Sequence, residues 1–306
     1  IPSGTDQRAP GRDKIGEKEP APPSAGAVAA GRLKQKTLAH SVVTSGQGLH
    51  SGIKTGMVLH PLPPNSGIQF AGISADATVC AHLDNVFSTG YATSLRNRGI
   101  SVATVEHLLS ALYSYGVNNL LVKVQSEVPI LDGSAIEFCR LLEEAGIEEQ
   151  DEDCAEIVID RTYRVGKQDG ESISIEPSET FSVRYELRYP KPVGRQEYLY
   201  IHCGPESFKE EIAPARTFGF LRDIAQLEKM GLAAGGRLSN FILIDDEKIV
   251  NTELRFPDEL ARHKILDIVG DFYLLGRPVR GAVSACMTGH SDNIALLREV
   301  KKGMGL

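Results

Sequence analysis

The segment from Glu259 to Asp271 constrains this chain more than any other. It reads Glu-Leu-Ala-Arg-His-Lys-Ile-Leu-Asp-Ile-Val-Gly-Asp. Pro257 and Asp258 open a predicted helix, and Gly276 and Pro278 close it, giving a span of about 257–275. At about 100° per residue, His263, Lys264, Asp267 and Asp271 fall within an arc of roughly 100°. Ile265, Leu266, Ile268, Val269, Phe272 and Tyr273 cover most of the rest. A narrow ionisable stripe on a mostly apolar helix has two readings. One is a pair of ordinary i,i+4 and i,i+3 ion pairs, which are common. The other is a ligand set, because buried ionisable groups are costly unless paired or ligating. His and Asp one turn apart can reach the same ion.

Two further segments bear on the choice. In Thr104-Val-Glu-His-Leu-Leu-Ser-Ala-Leu-Tyr, the residues Val105, Leu108, Leu109 and Leu112 form an apolar stripe, and Glu106 and His107 lie off it in the first turn. The positive end of the helix dipole there disfavours a charged imidazole and favours an ionised carboxylate. Alone, this is an acidic first turn beside an ordinary His. In Cys286-Met-Thr-Gly-His290-Ser-Asp292, a strand from Gly281 runs into a glycine turn, with His290 just ahead of a helix capped by Ser291 or Asp292. Alone, this is a surface-loop His. Together the three segments favour a catalytic metal. Two His and one Asp leave a fourth position open for water, the catalytic rather than the structural zinc pattern. A carboxylate beside a ligand suits proton abstraction, and a further His and a Lys remain.

The 306 residues suffice for two domains, and 42 % apolar with 24 % charged residues is a globular mix. No run approaches the ~18–20 apolar residues of a membrane span, although a peripheral contact with a membrane surface stays compatible. A net charge of −7 without a Lys/Arg stripe argues against nucleic acid. The five cysteines, odd in number and without a C-x-x-C pair, argue against a disulfide framework and favour a reducing, cytoplasmic setting. The chain begins at Ile1 rather than Met, which reads as trimming or processing.

Residues 1–36 hold five Pro, five Gly and no aromatic residue, the composition of a flexible N-terminal arm. From Thr37, strands are predicted over 37–44, 56–60 and 120–125, and helices over 104–115 and 135–145. The acidic run Glu148–Asp153 reads as a linker. Beyond it, strands are predicted over 156–165, 172–177, 181–189 and 197–202, with helices over 220–230, 257–275 and 292–301. Both halves run strands first and helices last. The expected fold class is therefore α+β: two similar domains, 37–150 carrying Glu106 and His107, and 151–306 carrying His263, Asp267 and His290.

Seven motifs then stand in order along the chain. They are Gln47-Gly-Leu-His50-Ser-Gly52, Thr104-Val-Glu-His-Leu-Leu-Ser-Ala-Leu112, Val128-Pro-Ile-Leu-Asp-Gly-Ser-Ala135, Ala215-Arg-Thr-Phe218, Gly231-Leu-Ala-Ala-Gly-Gly236, Arg262-His-Lys-Ile-Leu-Asp-Ile-Val-Gly-Asp271 and Gly289-His290-Ser291. From Thr37 to the C-terminus the chain resembles the UDP-3-O-acyl-N-acetylglucosamine deacetylases, zinc amidases of lipid A biosynthesis. The resemblance implies that each domain is a sheet with two packed helices and that the active site lies between the domains, with zinc on His107, His263 and Asp267, a position that ferrous iron would also satisfy. It implies Glu106 as general base and His290, held by Asp271, as the acid that protonates the amine. It implies Thr217 beside the oxyanion, Lys264 and Phe218 on the substrate, and His50 nearby in a lesser role. The implied partner is the UDP-sugar substrate; the chain itself is expected to be a monomer. It also implies an inserted βαβ unit forming a hydrophobic passage, expected at about 189–204. Two positions depart from the family pattern: Arg237 stands where many members carry Ser, and Gly219 where some carry Cys. A peptidase is the rival hydrolase, disfavoured because no H-E-x-x-H helix is present.

Overall fold

Period-two burial builds the sheets of this computed structural model, which describes residues 33–75, 77–167 and 170–306. In the strand Lys54–Pro61, Thr55, Met57 and Leu59 turn inward. In the strand Phe181–Arg188, Phe181, Val183, Tyr185 and Leu187 do so. Inward-facing residues of this kind, at about 1.5–3 kcal/mol per fully buried large side chain, join one contiguous core.

Among the described residues six α-helices pack on the sheets: α1 (Glu106–Tyr115), α2 (Ile136–Ala145), α3 (Pro205–Glu211), α4 (Leu221–Lys229), α5 (Glu259–Phe272) and α6 (His290–Met304). The two halves repeat one topology. The first sheet has the spatial order 42–47, 54–61, 120–124, 68–71, 78–80. The main path of the second has the order 163–166, 172–176, 279–286, 181–188, 195–201. In each, two hairpins form first. A later strand then enters between them, antiparallel to one hairpin and parallel to the other. In each, one helix precedes that central strand (α1, α5) and one follows it (α2, α6). The α+β class and the likeness of the halves expected from the sequence are thus present in the architecture.

The halves meet where α1 packs on α5. A Cβ on Gly270 would lie 2.0 Å from the carbonyl oxygen of Glu106. The two backbones therefore approach as closely as they do because residue 270 has no side chain.

Several expectations are corrected. The acidic run is not a linker. Ile147–Asp153 is a strand, antiparallel to Lys34–Leu38, with Lys34 opposite Asp153 and Lys36 opposite Glu149. Opposite charges across an exposed pair offset the poor strand propensity of the acids. The same pairing makes Lys34–Lys36 strand residues, while the remainder of the expected arm, up to residue 32, lies outside the described residues. The strand expected over 37–44 is two strands broken at residues 39–41, and that over 156–165 is broken at residues 159–162. The stretch 189–204 holds no βαβ unit: Arg195–Ile201 closes a hairpin with Phe181–Arg188. The βαβ unit is Phe218–Phe220, α4 and Ile242–Ile244, whose strands pair in parallel. Finally, α6 starts at His290 with Gly289 as N-cap, and Asp292 accepts the Gly289 amide at 3.0 Å.

Gly270→Ala should force α1 and α5 apart. The expected cost is about 1–3 kcal/mol of overpacking, read as a drop of several degrees in Tm. An unchanged Tm would show that the contact is softer than described. A second expectation concerns pH. Arg188, which forks onto both oxygens of Glu186 at 2.8 and 2.9 Å, and then Arg195, hold that carboxyl at about 2, below its ordinary 4.5. A depressed carboxylate stabilises the fold fully above its unfolded value and loses that contribution as pH falls through the folded one. Glu186→Gln should therefore be less stable than the parent at pH 7, by under about 1 kcal/mol for so open a pair. The gap should close between pH 4.5 and 2 in urea titrations; a gap that persists at pH 2 would refute this.

Candidate metal centre

Three of the four residues in the ionisable stripe of α5 are buried: His263 and Asp267 are 2 % and 4 % exposed and Asp271 is fully buried, while Lys264 is partly buried. Across from it, Glu106 and His107 in the first turn of α1 are likewise buried. His107 Nε2 lies 3.7 Å and His263 Nε2 3.5 Å from Asp267 Oδ1. These separations are too long for hydrogen bonds. They are close to the ~3.3–3.6 Å between atoms that each ligate one tetrahedral zinc at about 2.0–2.2 Å. Asp267 Oδ1 is buried and has no hydrogen-bond partner. An orphaned carboxylate oxygen facing two imidazole nitrogens fits a cation among them. His107, His263 and Asp267 thus form a group that can hold a metal ion.

The surroundings prepare these donors. His263 Nδ1 donates to the Ala215 carbonyl at 3.0 Å, so its Nε2 carries the free lone pair. Burial, and then His263, push His107 down to about 3, and burial lowers His263 as well, so both rings are neutral. Although burial opposes ionisation of Asp267, the cationic Lys264 and then His290 outweigh it and hold the carboxylate charged. Lys264 Nζ donates to Asp267 Oδ2 at 3.2 Å. The Ala215 carbonyl is itself fixed, because the next residue, Arg216, is locked to Glu259. The Arg216 amide and Nε both donate to Glu259 Oε1, at 3.0 and 2.8 Å, in a buried pair.

Beside the donors, His290 Nε2 stands 3.5 Å from Glu106 Oε1 and 4.0 Å from Asp267 Oδ2. His290 Nδ1 donates to Asp271 Oδ2 at 2.8 Å. Burial and the N-terminus of α6 both disfavour a cation here. Three carboxylates, Asp271 first, outweigh them and raise His290 to about 9. Burial raises Glu106 to about 8 against the pull of His290. A divalent cation nearby would draw Glu106 back down.

A cavity of about 670 Å³ opens over this floor. His50, Glu106, His107, Thr217, Phe218, His263, Lys264, Asp267 and His290 all line it, and Asp271 lies behind His290. Every candidate read from the sequence therefore reaches one site. A second cavity, about 420 Å³, shares His50, Thr217 and Phe218 with the first and runs between Ile224, Leu227, Leu238, Phe241 and Leu243. It is walled by the βαβ unit. Arg237 lies along it, with its guanidinium turned onto the Ala234 and Gly236 carbonyls.

The sequence reading missed Thr93, Asn293 and Glu127. Asn293 Nδ2 donates to Asp271 Oδ2 at 2.8 Å. Glu127 accepts the amides of His50 and Ser51 and the Thr104 hydroxyl, at 2.8–2.9 Å, and so pins the His50 loop. Asn293 was within reach of pattern reading, since i+3 from His290 places it on the same face of α6. Thr93 and Glu127 sit in short loops with no periodic signal.

Fold and site together have the form of an α+β metallohydrolase, with an open three-donor centre where two repeated halves meet. Comparison with known proteins narrows the class. Residues 35–302 match the family described as UDP-3-O-acyl N-acetylglycosamine deacetylase, and the chain belongs to that family. It is 42 % identical over 271 residues to the UDP-3-O-acyl-N-acetylglucosamine deacetylase of Nautilia profundicola, covering 88 % of this chain and 92 % of that one. To the protein of the same name from Myxococcus xanthus it is 42 % identical over 270 residues, covering 87 % and 86 %.

Removing a donor should empty the site. Dialysis against a chelator and titration with zinc should restore about one metal per chain to the parent. Asp267→Asn or His263→Ala should weaken metal binding by more than the ~10–100-fold typical of an outer-sphere partner. Stoichiometric, tight zinc in either variant would remove that residue from the ligand set.

Proposed function

We propose that the chain is a zinc-dependent deacetylase that hydrolyses the N-acetyl group of UDP-3-O-acyl-N-acetylglucosamine in lipid A biosynthesis. The observation that carries the reading is the joining of the His107–His263–Asp267 floor to an apolar channel through shared walls at Thr217 and Phe218. Such a site suits a substrate with a polar reacting end and one acyl chain.

His107, His263 and Asp267 would hold the zinc, which when bound supplies a Lewis acid for the amide carbonyl and acidifies a water. Ferrous iron is compatible with the same donors. Glu106 takes the proton of the attacking water at Oε1. His290, cationic and oriented by Asp271, gives its Nε2 proton to the departing nitrogen as the C–N bond breaks, leaving acetate and a free amine. The Thr217 hydroxyl donates to the developing oxyanion. Lys264 holds Asp267 and, with Phe218 and His50, contacts the substrate.

Architecture and setting complete the proposal. The repeated topology supports two domains divided near residue 150, within the strand that returns to the N-terminal strand. One chain supplies every site residue, which supports a monomer. Five free cysteines support a cytoplasmic setting. Among the described residues no helix is long and apolar enough to cross a membrane. Exposed Leu221, Met230 and Leu238 near the channel support transient contact with a membrane surface, where an acylated substrate partitions.

The test is acetate release from UDP-3-O-acyl-N-acetylglucosamine by the zinc-loaded protein. Glu106→Ala and His290→Ala should each retain fold and metal yet lose about 2–4 kcal/mol of transition-state stabilisation, on the order of 10²–10³ in rate. Near-parental turnover in either would overturn its assignment. Absence of release by the folded, loaded parent would overturn the substrate.

A further inference from the structure

Thr93 lies in the loop between the strands Val86–Ser88 and Ser94–Asn97, outside every motif singled out in the sequence. It is fully buried, and its polar groups all engage the catalytic elements. Its carbonyl accepts the amide of Val105, the N-cap of α1, at 3.3 Å. Its amide donates to Glu106 Oε2 at 3.1 Å. Its hydroxyl donates to Asp271 Oδ1 at 2.6 Å, and the same oxygen stands 3.2 Å from His290 Nδ1.

We infer that Thr93 is a positioning residue that sets the proposed base, Glu106, and the proposed acid, His290, in register with each other across the two halves of the molecule. The inference rests on the roles proposed above for those two residues. Asp271 takes Thr93 on Oδ1, and His290 and Asn293 on Oδ2. With both oxygens engaged the carboxylate cannot rotate without breaking a bond. Its Oδ2 then stays on His290 Nδ1, and Nε2 is turned into the cavity. Without the hydroxyl, Oδ1 becomes a buried, unpaired carboxylate oxygen, which costs more than the bond itself contributed. The carboxylate is then free to turn toward other donors and carry the His290 ring with it. Glu106 is held differently: the backbone amide of Thr93 engages Oε2, which leaves Oε1 for the side facing His290. One residue thus fixes the carboxylate of the base and the ring of the acid.

Thr93 does not line either cavity, so it acts through Glu106 and Asp271 rather than on the substrate. A residue of that kind changes turnover and leaves substrate binding nearly unchanged.

The experiment compares Thr93→Val, which keeps the shape and loses the hydroxyl, with Thr93→Ser, which keeps it. Thr93→Ala replaces the valine variant should the latter not fold. Expected for Thr93→Val are parental zinc content, a kcat lowered about 10–100-fold and a KM within about twofold. Thr93→Ser should stay within about threefold of the parent in kcat. With ¹⁵N-labelled histidine, the Nδ1-bound proton of His290 should shift or be lost to exchange in Thr93→Val and persist in Thr93→Ser. Parental kcat in Thr93→Val, or equal losses in the valine and serine variants, would overturn the inference. So would an unaltered His290 resonance in Thr93→Val. If the parent itself releases no acetate, the deacetylase reading is what fails. The resonance comparison, which needs no turnover, then decides this inference alone.

Discussion

The contact of Gly270 with the Glu106 backbone is the constraint on which the site depends. Two helices normally pack with their axes about 8–10 Å apart, separated by side chains. Here a carbonyl of the first turn of α1 sits where a Cβ on α5 would be. That approach carries Glu106 and His107 to within a few ångströms of Asp267 and His290. Neither half contains the candidate donor set by itself: α5 offers two of the three groups that can hold a metal ion and α1 the third. The repeated topology matters for the same reason. It presents two equivalent helices, each just before its central strand, to one another.

Around that contact the molecule buries an unusual concentration of charge, and its stability and chemistry are linked through how that charge is satisfied. Asp271 is fully paired, by Thr93, His290 and Asn293. Glu259 is fully paired by Arg216 and the amide of Arg255. Asp267 is not, because Lys264 engages Oδ2 while Oδ1 faces two neutral imidazoles. Leaving one buried carboxylate oxygen unpaired costs on the order of a few kcal/mol. A divalent cation recovers that cost, which is how a structural deficit becomes a binding site.

What the sequence could reveal follows from the range over which each signal acts. The stripe on α5 was legible because helical periodicity is local: His263, Asp267 and Asp271 share a face whatever the rest of the chain does. The meeting of α1 with α5 is not local, and only the seven ordered motifs indicated it. The acidic strand Ile147–Asp153 was illegible because its partner, Lys34–Leu38, lies over a hundred residues earlier and supplies the lysines that make it tolerable. The βαβ unit was misplaced for a related reason. Phe218–Phe220 and Ile242–Ile244 are three-residue strands, too short for a period-two pattern to register, and they become a unit only through parallel pairing. Thr93 carries no local signature at all, since its importance is entirely in what the fold places around it.

The stretch Ala215–Phe220 shows how the metal centre and the apolar channel are made to answer to each other. At one end Glu259 locks Arg216, and the adjacent Ala215 carbonyl sets the tautomer of His263. At the other end Phe218–Phe220 pairs with Ile242–Ile244 to support the channel wall. Thr217 lies between, its amide bonded to the Gly133 carbonyl at 2.8 Å and its carbonyl to the Ile242 amide at 2.8 Å. A rigid segment of this length leaves little freedom for the channel wall to move independently of His263. Contacts made far from the reacting bond can then be used to orient the reacting bond itself. On the reading proposed above, a substrate without its acyl chain would lose the means by which the amide is placed over the donors, so its deficit belongs to turnover as well as to binding.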